Sequence, residues 1–270
     1  MKKTAAILLI AGLVWGLCGG RDRLRVGTFN IEDFPKSDRQ AELAFEVIEE
    51  LGYDALAVQE ITDPRRFARE AARRLGGSFS FVYNRRGPRH RLGVLYNTDR
   101  LSLLSTRTYR ETRVDGRGKP AFEVRLRIRD GEQVLRLITV HLKAGGEGVD
   151  IRRRQLRALR PVISRAWRSG ERVVLLGDFN ATSPADRGEI EALAAASRMT
   201  WASRDLECTC FWDRRDGCRG TPLDHVLTWQ APAGIAARGP CETEGCEPRD
   251  RCPAFHREVS DHCPITIDLR

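Results

Sequence analysis

A chain of 270 residues with 41% hydrophobic and 31% charged side chains can build a full core, and it is neither disordered nor membrane-embedded in composition. That length suits one α/β domain better than two. The formal charge of +9 favours polyanionic partners through phosphate contacts, although an arginine-rich composition produces the same excess without any partner.

Residues 1–20 begin with Lys2 and Lys3, continue through an apolar run from Ala5 to Trp15, and pass into Gly16, Gly19 and Gly20. This order reads as an export signal, because a membrane anchor needs roughly 18 or more apolar residues. Cys18 is a candidate lipid-attachment site, but Leu17 before it is bulky where lipoprotein signals carry a small residue. Residues 1–20 hold two lysines and no acid, so their removal takes the charge from +9 to +7. The mature protein, residues 21–270, is expected to be extracellular or periplasmic, with outer-membrane attachment only if Cys18 is lipidated.

Several apolar runs then end abruptly in polar residues: Leu24–Phe29 before Asn30, Ala55–Val58 before Gln59 and Glu60, Leu135–Val140 before His141, and Val173–Leu176 before Gly177 and Asp178. These are buried strands that deliver side chains from their ends. Helical patterns lie between them. Asp38 to Leu51 follows a Ser37 cap, and Pro64 to Leu75 follows Asp63 with proline in the first turn. Val149 to Trp167 places Leu156, Leu159, Ile163 and Trp167 at core spacing and Arg152, Arg153, Arg154 and Arg157 toward solvent or a ligand, with Pro161 expected to kink or split the helix. The stretches Leu92–Tyr96, Leu101–Tyr109, Ala121–Ile128 and Val134–Val140 follow one another through turn residues, which predicts antiparallel pairing. Two sheets packed face to face, with helices outside, accommodate this order.

Of eight cysteines, Cys18 lies in the signal and seven fall between Cys208 and Cys263. In an exported chain, Cys208, Cys210, Cys218, Cys241, Cys246 and Cys252 are expected to form up to three disulfides across a loop-rich insertion, about 207–252, interrupted by one strand at Leu223–Trp229. A zinc site is the rival, but Cys208 and Cys210 lack the usual two-to-four-residue spacer. Cys263 lies in an apolar strand pattern and is expected to be unpaired and buried. Because these cysteines stand apart from most motif residues, reduction is expected to weaken the fold more than the chemistry.

The polar clusters share one chemical logic. A hard cation, Mg2+ or Mn2+, prefers the oxygens that Asn30, Glu60 and Asp261 could supply, with Ca2+ as a structural alternative. His141, Asn180 and Lys143 could donate hydrogen bonds to a charged phosphoryl transition state. Asp178, or His262 paired with Asp224, could orient or deprotonate a water. Glu32 shares a face with Asn30 and either joins the metal or stays solvated, while His225 reads first as a packed strand residue.

Six motifs in order, Thr28-Phe29-Asn30-Ile31-Glu32, Val58-Gln59-Glu60, Val140-His141-Leu142-Lys143, Gly177-Asp178-Phe179-Asn180, Leu223-Asp224-His225-Val226-Leu227 and Ser260-Asp261-His262-Cys263-Pro264, resemble the endonuclease/exonuclease/phosphatase superfamily. The resemblance spans residues 24–269. It implies a four-layer α/β/β/α sandwich of two mixed sheets, of the deoxyribonuclease I type. It further implies Glu60 as principal metal ligand with Asn30 and Asp261, His262 held by Asp224 as base or phosphate-binding imidazole, Asp178 on the water, Asn180 on the scissile phosphate and His141 near the leaving group. Two positions depart from familiar patterns. Arg89-His90-Arg91-Leu92-Gly93 offers no acid to orient His141, and His225 stands where the inositide phosphatases carry arginine after the matched aspartate.

The expected function is metal-dependent hydrolysis of DNA or RNA, with nucleic acid as the substrate partner, no obligate protein partner, and a monomeric chain. Phospholipid, sphingomyelin or small phosphomonoester hydrolysis on the same scaffold is the alternative, since substrate choice lies in loops. A catalytically dead surface-binding module is the third reading, disfavoured because every acid the chemistry needs is present.

Overall fold

The computed structural model describes residues 23–270 apart from 87, 117 and 130, so the segment expected to be an export signal and Cys18 lie outside the described residues. The chain runs β1 (Leu24–Phe34), α1 (Asp38–Leu51), β2 (Ala55–Ile61), α2 (Pro64–Leu75), β3 (Phe79–Tyr83), β4 (Arg91–Asn97), β5 (Leu101–Tyr109), β6 (Ala121–Ile128) and β7 (Val134–His141). It continues through α3 (Val149–Arg168), β8 (Arg172–Asp178), α4 (Pro184–Ser197), β9 (Thr200–Trp201), β10 (Cys210–Arg214), β11 (Gly217–Thr221), β12 (Asp224–Thr228), β13 (Gly234–Ala237), α5 (Pro240–Thr243), α6 (Ala254–Glu258) and β14 (Ile265–Leu269).

Two six-stranded sheets result, in the orders β13-β14-β1-β2-β4-β3 and β5-β6-β7-β8-β12-β9, with β10-β11 as a separate hairpin. Both are mixed: β1 runs parallel to β2 and β7 parallel to β8, while the other pairings within them are antiparallel. One apolar cluster lies between the sheets, built from residues such as Val26, Ala57, Val94, Val124, Leu137 and Leu176. A second joins α3 and α4 to the outer face of one sheet, through Leu159, Ile163, Ile190 and Leu175, and a third joins α1 and α2 to the other, through Phe45, Phe67, Phe29 and Leu56. This is the four-layer sandwich that the motifs imply.

Strand alternation explains the layering. Along β7, Leu135 and Leu137 point between the sheets, whereas Ile138 and Val140 point outward to α3. Along β1, Leu24 and Val26 point inward and Phe29 and Ile31 outward. Polar residues that continue the inward series at strand ends therefore open into the seam between the sheets.

Several sequence expectations need correction. β4 and β5 do not pair; the chain changes sheets between Asn97 and Leu101, and only β5, β6 and β7 form the consecutive antiparallel set. Tyr96 and Leu101 both enter the inter-sheet core, which makes the crossing favourable. The helix from Val149 is not split at Pro161 but continues to Arg168. Pro161 and Arg157, whose carbonyl loses its helical donor, are exposed, so water can take that bond. The insertion is more ordered than a loop, since it contains the β10-β11 hairpin, β13 and α5.

Cys210 and Cys263 exchange their expected roles. The disulfides are Cys208–Cys246, Cys218–Cys252 and Cys241–Cys263, and Cys210 is free and buried. Cys210 lies opposite His262 in an isolated antiparallel bridge. Neighbouring residues of an extended chain face opposite ways, so His262 turning into the seam directs Cys263 away from it, toward Cys241 on α5.

Arg152 is a further correction, because it faces neither solvent nor ligand. It is among the largest fully buried side chains, 1% exposed. Its guanidinium donates to both carboxylate oxygens of Asp186, at 2.7 and 2.9 Å, to the carbonyls of Lys143 and Gly145, both at 2.7 Å, and to Thr182 Oγ1 at 3.0 Å. It thereby ties the loop after β7 to the first turn of α4. Replacing Arg152 with alanine leaves the Asp186 carboxylate buried without its cation. We expect a loss of about 3–5 kcal/mol in urea unfolding, whereas Arg153→Ala, at a half-exposed neighbour, should cost far less.

Candidate active site

Inward alternation carries the polar residues to one end of the seam. Asn30 follows Val26 and Thr28, His141 follows Leu137 and Thr139, and Asp178 follows Val174 and Leu176. Parallel pairing aligns His141 with Asp178, and antiparallel pairing places Asp224, at the start of β12, opposite Asp178. β14 runs antiparallel to β1 with Thr28 opposite Ile265, which returns Asp261 and His262 to the Asn30 end. Gly177 is required at this approach. It has φ +134°, and a Cβ there would stand 2.2 Å from the Val140 carbonyl oxygen.

Glu60 arrives by a different device. Simple alternation would send it outward beside Val58, but Ile61 takes that place in the outer core and Glu60 adopts φ 62° at a register shift. The same irregularity lifts Glu32 (φ 36°) and Asp33 (φ 55°) out of β1 between Ile31 and Phe34. Asn180 is also left-handed, at φ 50°. Four of the six non-glycine residues recorded with positive φ thus gather at this site, where the surrounding sheets hold backbone that would be unfavourable elsewhere.

The side chains form a continuous run of contacts. Asp178 Oδ2 accepts from the amides of Asn30 at 3.1 Å and Asn180 at 2.9 Å, and its Oδ1 accepts from the Asn180 backbone N–H at 2.8 Å. His141 Nε2 stands 3.3 Å from Asp178 and 3.7 Å from Glu60. His262 Nδ1 lies 2.7 Å from Asp224 Oδ2, and its Nε2 lies 3.8 Å from Asp261, 4.0 Å from Asp178 and 3.4 Å from the Asn30 amide nitrogen. Thr209 Oγ1 donates to the same Asp224 oxygen at 2.9 Å.

All eight residues expected at the site therefore meet, but not all in the expected posture. Asn30 turns its amide nitrogen to Asp178 and Glu60, and its oxygen accepts from the Glu32 N–H, so in this arrangement it positions carboxylates rather than offering a ligand oxygen. Lys143 gives its ammonium to the Ala144 carbonyl, 2.7 Å away, and a phosphate contact would require that bond to open. Glu32 pairs with Lys36 and accepts from the Asp261 N–H at 3.1 Å, bracing the loop before β14. His225 is a core residue: it packs edge-on against Phe179 and Trp201, and burial lowers its pKa to about 3.

Three residues escaped the sequence reading. Asp33 and His90 stand 2.6 Å apart, with His90 Nδ1 3.6 Å from Glu60. Lys119, in the segment before β6, lies 2.9 Å from both ring nitrogens of His141. His90 immediately precedes β4, which runs antiparallel to β2 and so begins where Glu60 ends; the signal is thus a histidine at a strand start rather than at a strand end. No comparable motif marks Lys119.

Burial governs the charge states. It pushes the Asp178 carboxyl up to about 7, a rise opposed by His262 and reinforced by Asp224. Burial, followed by the Lys119 ammonium, drives His141 well below its ordinary range, so this imidazole is neutral. Burial also opposes a charge on His262, yet Asp224 holds it well above the ordinary histidine value, so it is cationic. The Lys119 ammonium is lowered by burial and supported by Glu60, Asp178 and Asp33.

The donor set fits a hard divalent cation. Asp33, Glu60 and His90 bring ligand atoms within 4.8 Å of one another, and Asp261 Oδ1 is buried without a hydrogen-bond partner. Glu60 and Asp261 fall in separate donor groups, the second containing Cys210 and His262.

A fold of two mixed sheets with acids, amides and imidazoles at one end of their seam defines a phosphoester-hydrolase class of protein. The chain belongs to the Endonuclease/Exonuclease/phosphatase family, whose model matches residues 27–262; its members are phosphoester hydrolases, typically dependent on divalent metal. Among solved structures, Danio rerio TDP2 complexed with a single-strand DNA product is similar with a TM-score of 0.70 and 15% identity, covering 92% of this chain and 98% of that one. The human Nocturnin catalytic domain with bound sulfate gives 0.68 and 17%, over 92% and 94% of the two chains. A mannosyl-6-phosphatase of Bacteroides thetaiotaomicron gives 0.64 and 13%, over 90% and 98%. No curated protein sequence is detectably similar. At such identities the structural likeness speaks to fold alone.

Asp178→Asn should lower turnover of a chromogenic phosphodiester by about 10²–10⁴-fold, the range for a lost general base. Its stability should move the other way. A carboxyl raised from 3.8 to about 7 is protonated in the fold while ionised in the unfolded chain, so stability falls as pH rises through that window. Asparagine removes this term, and the melting temperature of the variant relative to the parent should rise from pH about 5 to pH about 8. The Cys241–Cys263 bond adjoins His262, which revises the expectation for reduction. Cys241→Ser with Cys263→Ser should cost about 2–4 kcal/mol of stability and also lower turnover at temperatures where the variant remains folded.

Proposed function

We propose that the protein is an exported, divalent-metal-dependent phosphodiesterase that hydrolyses DNA or RNA by attack of an oriented water. The observation that carries the reading is the continuous run from Asp33 through Glu60, His141 and Asp178 to His262 and Asp224, with a rim of arginines beside it. The segment between β3 and β4 holds exposed Arg85, Arg86 and Arg89, and Arg89 lies 3.8 Å from Asp33. Arg85 and Arg86 continue into a groove of about 470 Å³ that is also lined by Phe81, Tyr83 and Arg110. Basic side chains interleaved with aromatic rings suit a nucleic-acid strand. The fold shared with TDP2, seen with a single-strand DNA product, supports the same substrate class.

Glu60, Asp33 and His90, with Asp261 nearby, would hold Mg2+ or Mn2+, which when bound supplies charge neutralisation at the phosphate. The remaining chemistry belongs to the chain. Asp178, with a carboxyl near 7, is suited to accept the proton of the attacking water at neutral pH. The Asn180 amide and the His262 imidazolium, fixed by Asp224, donate to the non-bridging oxygens as charge develops. Neutral His141, with Lys119 against its ring and Asp178 3.3 Å away, is available to hydrogen-bond the phosphoryl group. Export is supported by the pattern in residues 1–20 and by three disulfides.

Small phosphomonoesters are the second reading, favoured by the shared fold with a mannosyl-6-phosphatase. Supercoiled plasmid, single-stranded DNA, RNA, sphingomyelin and a sugar phosphate, each incubated with magnesium or with chelator, separate the possibilities. Nicking or strand cleavage that requires metal and disappears in Glu60→Gln is expected. Faster release of phosphate from the sugar phosphate than any strand cleavage would transfer the assignment to monoester hydrolysis.

A further inference from the structure

Overlapping the hydrolytic residues at His262 and Asp261 is a second donor group of different chemical character. Cys210, Asp261 and His262 bring one sulfur, one oxygen and one nitrogen within 4.8 Å of one another. Each donor is poorly satisfied by the protein. Cys210 is the free cysteine among the described residues, 1% exposed, and its thiol makes one long hydrogen bond to the Phe211 carbonyl at 3.7 Å and also lies against the His262 side chain. Asp261 Oδ1 is buried with no hydrogen-bond partner. His262 commits Nδ1 to Asp224 at 2.7 Å and leaves Nε2 3.8 Å from Asp261 Oδ1.

A carboxylate that grips one ring nitrogen while the other faces a metal is the usual support of a histidine ligand. It fixes the tautomer and strengthens the donor. Thr209 Oγ1 donates to the same Asp224 oxygen at 2.9 Å, so the supporting carboxylate is itself fixed. The frame is stiff as well: Cys210 and His262 are bridge partners, and disulfides at Cys208 and Cys263 flank them. The Asp261 side chain is about one-third exposed, 32%, which gives an ion a way in.

We propose that Cys210, Asp261 and His262 form a binding site for a thiophilic divalent ion, zinc by its donor set, which switches off the hydrolytic centre when filled. One thiolate, one imidazole and one carboxylate leave a fourth tetrahedral position for water. A sulfur ligand separates this site from the oxygen-rich group around Glu60, because magnesium does not compete for thiolate. On binding, bonds form from the metal to sulfur, nitrogen and oxygen, and both the thiol proton and the Nε2 proton of the His262 imidazolium pass to solvent, with no change of oxidation state. The ion takes the Nε2 lone pair of His262 and thereby removes that imidazole from the phosphate. This shut-off rests on the role given to His262 under the proposed function; the binding does not.

Cobalt(II) titrated into the metal-free full chain without reductant tests the binding directly. We expect a thiolate-to-cobalt absorption band in the near ultraviolet, abolished by added zinc and absent in Cys210→Ser. Because the full chain also contains Cys18, the comparison with Cys210→Ser decides which thiol is bound. In competition with a chromophoric chelator, zinc affinity should fall by about 100-fold in Cys210→Ser, the upper end of what disturbing even a supporting residue costs. Cys210→Ala, run in parallel with a melting curve for each variant, guards against a folding defect at one substitution. With magnesium present, trace zinc should inhibit the parent and spare both variants, whose magnesium-supported hydrolysis should match the parent's. A folded parent without the thiolate band, or equal zinc affinity in parent and variants, overturns the site. A band without inhibition of an active enzyme overturns the shut-off alone. An absence of hydrolysis under every metal condition counts against the proposed function and leaves the absorption result to stand or fall by itself.

Discussion

Gln59 holds the two sheets together where the chemistry begins. Its amide is fully buried, donates to Thr28 Oγ1 within its own sheet at 3.0 Å, and donates across the seam to Thr139 Oγ1 on β7 at 3.0 Å. Below this layer the facing side chains are apolar; above it they are Asn30, His141 and Asp178. A buried amide so placed must find both partners or lose the cost of its desolvation, so it sets how the sheets slide against each other. Positioning of Asn30 against Asp178, one from each sheet, depends on that register.

Above the Gln59 layer the protein gathers more acid, Asp178 and Asp224 fully buried and the rest half-buried, than it neutralises internally. Asp178, Asp224, Glu60, Asp33 and Asp261 converge on two histidines, His90 and one lysine. Burial raises the Asp178 carboxyl and suppresses the charge on His141, while Asp224 preserves the charge on His262. The imidazoles, of one residue type, thus receive opposite protonation states from their surroundings, one neutral and one cationic. Such divergence is how a site obtains a base and an electrostatic donor near neutral pH. The unfilled demand for positive charge is met in part by Lys119, and a cation held at Glu60, as proposed, would meet more of it.

The cysteine-rich segment serves the same centre. Thr209 lies between Cys208 and Cys210 and anchors Asp224 by accepting from its backbone N–H and donating to its carboxylate. Cys263 follows His262 and is tied to α5. Disulfides that looked peripheral along the chain therefore brace the Asp224–His262 pair from both sides. A thiol left free in the midst of three bonded pairs is then a matter of direction, since Cys210 faces His262 and Asp261 whereas Cys208 and Cys263 turn to Cys246 and Cys241.

Much of the sandwich was legible in the sequence because burial imposes periods that local composition cannot hide. The ranges of α1 and α2 follow from apolar spacing and the Ser37 and Asp63 caps, and the cores of β1, β2, β6, β7 and β8 follow from apolar runs. Other elements were less visible. α4 is rich in alanine with a weak apolar stripe, although Ser183 and Pro184 mark its start, and β9, β10, β11 and β13 are too short or too polar to show a period. The sequence by itself determined which residue types are available at the ends of its strands, and hence the class of chemistry. Only the tertiary structure decided that Glu60 and Asp33 leave their strands through left-handed backbone, that Lys119 and His90 join them, that Arg152 is buried, and that Cys210 rather than Cys263 stays free. The reason is that alternation is a local rule, whereas register shifts, sheet crossing and pairing between distant segments depend on which surfaces meet, and those contacts join residues up to 230 or more positions apart.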